Sequence, residues 1–120
     1  MAADQYSQFY SPDPKLLVVP GSFAPAGTGA PTSVKGKGFT VARADVGVYT
    51  VTFDRVYPEC FAVLASVQLA TPDGSIINVG AISLSSRTVS LAAFDDTGSA
   101  LEIAANANNR VNFIAFFRRD

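Results

Sequence analysis

From residue 36 onward, apolar and polar positions alternate with the two-residue period of β-strands, and turn-forming residues interrupt them about every ten residues. Gly38-Phe-Thr-Val-Ala-Arg43 is the first such stretch. Gly47-Val-Tyr-Thr-Val-Thr-Phe53 alternates cleanly, with Tyr49, Val51 and Phe53 predicted inward and Thr50 and Thr52 outward. After the turn Asp54-Arg-Val-Tyr-Pro58, the next strand places Phe61, Val63, Ala65, Val67 and Leu69 on one face. Thr71-Pro-Asp-Gly74 is a turn sequence, because proline presets φ and Asp-Gly tolerates positive φ. Ile76–Leu84 follows, with Gly80 at a position suited to a bulge. Arg87–Phe94 then turns Val89, Leu91 and Ala93 inward, and Asp95-Asp-Thr-Gly98 turns the chain again. The final strand, Val111–Phe117, differs from the rest. Val111, Phe113, Ala115 and Phe117 share one face, yet Ile114 and Phe116 make the other face apolar too.

An antiparallel sheet normally keeps one face wet. A last strand that is apolar on both sides, in so short a chain, predicts that copies of the chain bury its second face together. Val111, Phe113, Ile114 and Phe116 are the expected interface residues. Six to eight short strands at this spacing predict an all-β fold: one antiparallel β-sandwich or jelly roll over residues 36–120. Only Leu101–Asn108 has helical propensity, and its asparagines limit that helix to something short or irregular.

Residues 1–35 read differently. They hold five of the seven prolines, and Gly21–Pro31 is rich in Gly, Pro, Ala and Thr, which predicts an extended N-terminal arm. Within it, Lys15-Leu-Leu-Val-Val19 is an apolar run between Pro14 and Pro20, which permits an edge strand or a lone extended segment but disfavours a central strand. Tyr6, Phe9 and Tyr10 add aromatic rings to an otherwise polar stretch, a composition suited to lying along another surface.

Composition narrows the functional classes. Hydrophobic residues make up 48% and charged residues 16% of the chain, against a usual charged share of about 25%. The low charge again points to surface that is not meant for water. A net charge of -1 gives no electrostatic case for nucleic acid. No apolar run reaches the roughly 18 residues of a membrane helix, so no membrane partner is expected. The polar start Met1-Ala-Ala-Asp-Gln-Tyr6 lacks a basic region followed by an apolar core, and Cys60 has no second cysteine to pair with. Synthesis in a cytoplasm is therefore expected.

Catalytic groups are scarce. Without histidine there is no imidazole base and no Ser-His-Asp or Cys-His arrangement, and one cysteine cannot build a zinc site. Adjacent Asp95 and Asp96 would point to opposite faces of a strand or outward from a turn, which is not the facing pair that glycosidases use. The same two residues with Gly98 supply only the opening of a calcium loop. Lys35-Gly-Lys-Gly38 lacks the spacing of a phosphate loop. Asn106-Ala-Asn-Asn-Arg110 could offer amide groups to a glycan, but asparagine in turns more commonly satisfies backbone groups. The expectation is a protein that is not an enzyme and carries no cofactor or metal.

Gly38–Arg43, Gly47–Phe53 with Tyr57-Pro58, Ser66-Val-Gln68, and Ala104–Phe113 together resemble small virion proteins of tailed bacteriophages. The Gly-x-Tyr-x-Val-x-Phe strand and the apolar last strand also resemble the trimeric jelly roll of the C1q and tumour-necrosis-factor type. The resemblance covers roughly residues 36–120. It implies a homotrimeric capsid decoration, or cement, protein on the capsid exterior that clamps the major capsid protein. Tyr6, Phe9, Tyr10, Leu16, Leu17 and Phe23 of the arm would then contact the capsid. The rival expectation is a fibre or tail-tip module that recognises a host-surface receptor or glycan, for which exposed aromatics in loops are the discriminator.

Overall fold

A computed structural model describes residues 12 and 15–119. Eight strands follow one another: β1 (Leu16–Ala26), β2 (Gly29–Lys35), β3 (Phe39–Asp45), β4 (Val48–Phe53), β5 (Glu59–Gln68), β6 (Ile76–Ser83), β7 (Thr88–Phe94) and β8 (Arg110–Arg118). All pairings are antiparallel. They form two four-stranded sheets, β2-β1-β8-β5 and β3-β4-β7-β6, packed face to face as a β-sandwich. The chain changes sheet after β2, β4, β5 and β7, so the first and last strands end side by side in the middle of one sheet.

The alternation read in the sequence dictates the core. Tyr49, Val51 and Phe53 of β4, Val89, Leu91 and Ala93 of β7, and Val111, Phe113, Ala115 and Phe117 of β8 are all buried. Aromatic rings bridge the two layers. Phe23 meets Tyr49 at 5.1 Å between centroids, Phe39 meets Phe113 edge-on at 4.9 Å, and Phe53 meets Phe117 edge-on at 4.8 Å. Such tilted and edge-to-face pairs each add about 0.5–1.5 kcal/mol beyond the area they bury. They also fix how the two sheets are stacked.

Four expectations need correction. Residues 16–35 are not an arm: β1 lies inside the first sheet and β2 forms its edge. Phe23 is fully buried in the core, and Leu17 packs against that core. Pro20 fits inside β1 because β2 pairs with β1 only from Ser22 onward, leaving one side of the strand's first half unpaired. Gly21 belongs there because a Cβ would come within 2.4 Å of the Phe39 ring and 2.5 Å of the Phe113 ring. The proposed arm residues Tyr6, Phe9 and Tyr10 lie outside the described residues.

Second, Leu101–Asn108 is not a helix. It is irregular chain whose backbone caps the sandwich: Leu101 N donates to Ala93 O at 3.0 Å, and Ile103 O accepts from Gly27 N at 2.9 Å. Third, Phe61 does not face inward. A register shift in β5 between Cys60 and Ala62 turns Phe61 out, while Cys60 packs against the core instead. Fourth, Val111 and Phe113 are committed to their own subunit's core and cannot serve as interface residues. The bulge expected at Gly80 is present, as a register shift between Val79 and Ile82.

Candidate interaction surface

The outer face of the first sheet is where the chain departs from the usual pattern. On β8 that face presents Arg110, Asn112, Ile114, Phe116 and Arg118. Strand register sets Pro20 and Leu64 on either side of Ile114, and Val18 and Ala62 on either side of Phe116. The result is a block three strands wide, made entirely of apolar residues at the middle of the sheet. Leu64 is 60% exposed and Ile114 39%, and Phe61, thrown outward by the β5 bulge, extends the block at the sheet edge with 45% exposure. Hollows of about 160 and 390 Å³ open on either side of Ile114, one beside Leu64 and Asn112 and the other beside Pro20 and Lys35.

Polar groups close the block at both ends. At one end Ser22, Asn112 and Ser66 stand in a row, and Arg110 donates to Ser22 Oγ (2.7 Å) and to Ser33 O (2.6 Å), tying β8 to β1 and β2. At the other end Leu16 and Glu59 flank Arg118, whose Nη1 is 3.6 Å from Glu59 Oε2. An apolar centre inside a polar rim is the anatomy of a protein–protein interface. Of the expected interface residues, Ile114 and Phe116 lie in this block. Leu16 lies at its end. Leu64, Pro20, Val18, Ala62 and Phe61 were missed, because the alternation of one strand does not show which residues of other strands will stand beside it.

Elsewhere the polar groups serve the fold. Arg43 on β3 makes a two-pronged ion pair with Glu102, Nε to Oε1 at 2.9 Å and Nη2 to Oε2 at 2.5 Å. The arginine's hydrogen bonds hold the Glu102 carboxyl below the usual carboxylate range and raise Arg43 in turn. Asp95 accepts from Thr97 Oγ1 (2.7 Å), Thr97 N (2.9 Å) and Ser99 N (3.0 Å), with Thr97's hydroxyl the main cause of its lowered pKa. This carboxylate organises its own turn. Asn109 accepts from Ala70 N (2.8 Å) and donates to Ala104 O (3.0 Å), and Asn106 accepts from Asn108 N (2.9 Å). The Asn106 and Asn109 amides satisfy backbone groups.

Burial pushes the Cys60 thiol up and so away from the reactive thiolate. Among the described residues no group of three or more Cys, Asp or Glu side chains could hold a metal ion. Tyr57, the loop aromatic that a receptor-binding module would present, is 5% exposed and stacked on Phe117 at 4.3 Å. Among the described residues no loop carries an exposed aromatic ring. No family model, curated protein or solved structure matches the chain.

Proposed function

We propose that this chain is a structural assembly protein: a homotrimer acting as a capsid decoration protein that binds and stabilises the major capsid lattice of a tailed bacteriophage. The observation that carries the assembly reading is the apolar block of Val18, Pro20, Ala62, Leu64, Ile114 and Phe116 on the outer face of the first sheet. A patch of this kind at the centre of a sheet is costly for a solitary molecule in water and marks an interaction site. Threefold symmetry and the virion setting come from the resemblance of residues 36–120, and the sandwich architecture is compatible with both.

Light scattering and sedimentation of the purified protein test the assembly reading. A mass three times that of the chain, falling to that of the monomer when Leu64 and Ile114 are replaced by arginine, is the expected result. A wild-type protein that stays monomeric at micromolar concentration overturns it. The virion assignment is tested separately by the gene's surroundings: a neighbouring major capsid gene supports it, and a neighbouring tail-fibre gene supports the receptor-binding rival.

A further inference from the structure

Each four-stranded sheet has two edge strands, and three of these four edges are interrupted. β2 shifts register twice against β1 and carries Pro31. β3 carries Arg43 and Asp45 and shifts register between them, and β6 shifts between Val79 and Ile82. The open half of β1 ends at Pro20. Prolines, charges and bulges at an edge keep a further strand from adding to it. Beyond its bulge at Phe61, β5 has none of these. From Ala62 to Gln68 it keeps unbroken register with β8 and contains no charged residue and no proline.

Backbone alternation identifies the groups this edge offers. Arg119 N donates to Lys15 O at 2.8 Å, which makes these two a hydrogen-bonded pair in the register of β1 and β8. Successive pairs of an antiparallel ladder alternate, so the odd-numbered residues of β8 bond toward β1 and the even-numbered ones toward β5. Pro20 agrees with this. Opposite Ile114, it stands where β8 needs no donor from β1. On β5 the partners of Phe116, Ile114, Asn112 and Arg110 are Ala62, Leu64, Ser66 and Gln68. The N–H and C=O groups of Val63, Ala65 and Val67 therefore point away from the sheet. Among the described residues they have no backbone partner.

We propose that β5 pairs antiparallel with β5 of a second copy about a twofold axis at Ala65, joining two four-stranded sheets into one of eight strands. The free groups match themselves about that point. Ala65 faces its own counterpart and Val63 faces the second copy's Val67, so three donors and three acceptors on each copy all find partners. A twofold at Leu64 would set Val67 against the bulge at Phe61. One at Ser66 would set Val63 against Leu69, beyond the strand's end. On the outer face Leu64 then stands opposite Ser66 and diagonal to the other Leu64, so the two apolar blocks run together. No charge lies in the seam. The inference goes beyond the proposed trimer and uses the sheet's edge rather than its face. Twofold and threefold contacts coexist in a closed pair of trimers. A seam of seven residues is small for a stable interface, so it joins trimers only at high concentration.

Sedimentation and amide hydrogen exchange on the whole chain test this. The mass is expected to be that of one trimer at about 10 µM and to approach twice that at about 1 mM. Over the same range the amides of Val63, Ala65 and Val67 are expected to slow roughly fivefold in exchange. Those of Leu64 and Ser66, bonded to β8, are expected to be slow at both concentrations. Ala65→Pro removes a donor from the free edge alone, a change that an edge strand tolerates. It is expected to keep the trimer and abolish the doubling. A mass that stays constant up to about 1 mM overturns the proposal. So does doubling that persists in A65P, or doubling that leaves the three amides unprotected. Should A65P fail to fold, the wild-type amides decide. A chain that is monomeric when dilute, yet doubles with the same three amides protected, would refute the trimer and spare this inference. A trimer that never doubles would do the reverse.

Discussion

The two sheets of this sandwich bury similar inner faces and present opposite outer ones. At the middle of the second sheet the outward residues are short and mostly hydroxylated: Thr40, Thr52, Thr88 and Ser83 form one row across the four strands, and Ala42, Thr50 and Ser90 form the next, while the apolar pair Ile76 and Phe94 is confined to one end of β6 and β7. Cross-strand threonine pairs of this kind stabilise a sheet while leaving it comfortable in water. The corresponding rows of the first sheet are Val18, Phe116 and Ala62, then Pro20, Ile114 and Leu64. Strand propensity accounts for both choices, since β-branched and aromatic residues favour strands on either face. Solvation accounts only for the second sheet. The first sheet's outer face is thus the part of the molecule that folding alone does not explain.

The inner faces offer the largest test of this contrast. Phe117 is buried between Phe53 and Tyr57, contacting one ring edge-on and the other by stacking. Phe117→Ala is expected to cost about 3–5 kcal/mol in chemical denaturation, the usual range for emptying an aromatic site in a core. Phe116→Ala, one position away and on the other face, is expected to cost far less in a denaturation experiment on the dissociated chain. Equal losses would mean that the outer face of β8 is also a folding surface, and the contrast would fail.

A smaller effect separates folding from assembly. Leu64→Ser with Ile114→Ser removes apolar groups that are already partly in water, so the dissociated chain is expected to change by only about 1 kcal/mol. The assembly is expected to lose its mass in sedimentation. Thr50→Lys with Thr52→Lys on the second sheet serves as the matched control and is expected to leave that mass unchanged. A loss of mass in the threonine variant would show that copies meet through both sheets.

Much of this was legible in the alternation of individual strands. Tyr49-Thr-Val-Thr-Phe53 announced its inner and outer faces, and β8 announced two apolar ones. What alternation cannot convey is which strands become neighbours. Leu64 and Pro20 stand beside Ile114 because β1 and β8 meet after the chain has crossed between sheets four times. Composition misled the reading of β1 and β2, since prolines and glycines there looked like linker. In place, Pro20 occupies a half-unpaired strand, Pro25 is buried, and Gly21 makes room for Phe39 and Phe113. The helix expected at Leu101–Asn108 failed for the complementary reason. Its backbone groups bond to Ala93 and Gly27, and tertiary hydrogen bonding overrides a weak local propensity. Gly47 shows the same tight closure. It adopts a φ of 66°, and a Cβ there would meet Leu101 O at 2.4 Å.

Acid should divide the two surfaces once more, through the smallest effect of the set. The Glu102 carboxyl is held below its ordinary range chiefly by hydrogen bonds from Arg43, and Asp95 chiefly by the Thr97 hydroxyl. A carboxyl with a depressed folded pKa binds its proton more readily in the unfolded chain. Its contribution is therefore complete above the unfolded value of about 4, and it is lost as the pH falls through the lower folded value. Resistance to denaturant is expected to hold level from pH 7 to 5 and then decline below about pH 4, with Glu102→Gln flattening part of that decline. The apolar block on the first sheet contains no titratable side chain at all, so the mass of the assembly is expected to stay constant from pH 7 to 5. Dissociation within that interval, before the fold itself weakens, would show that ionised groups rather than Leu64, Ile114 and Phe116 hold the copies together.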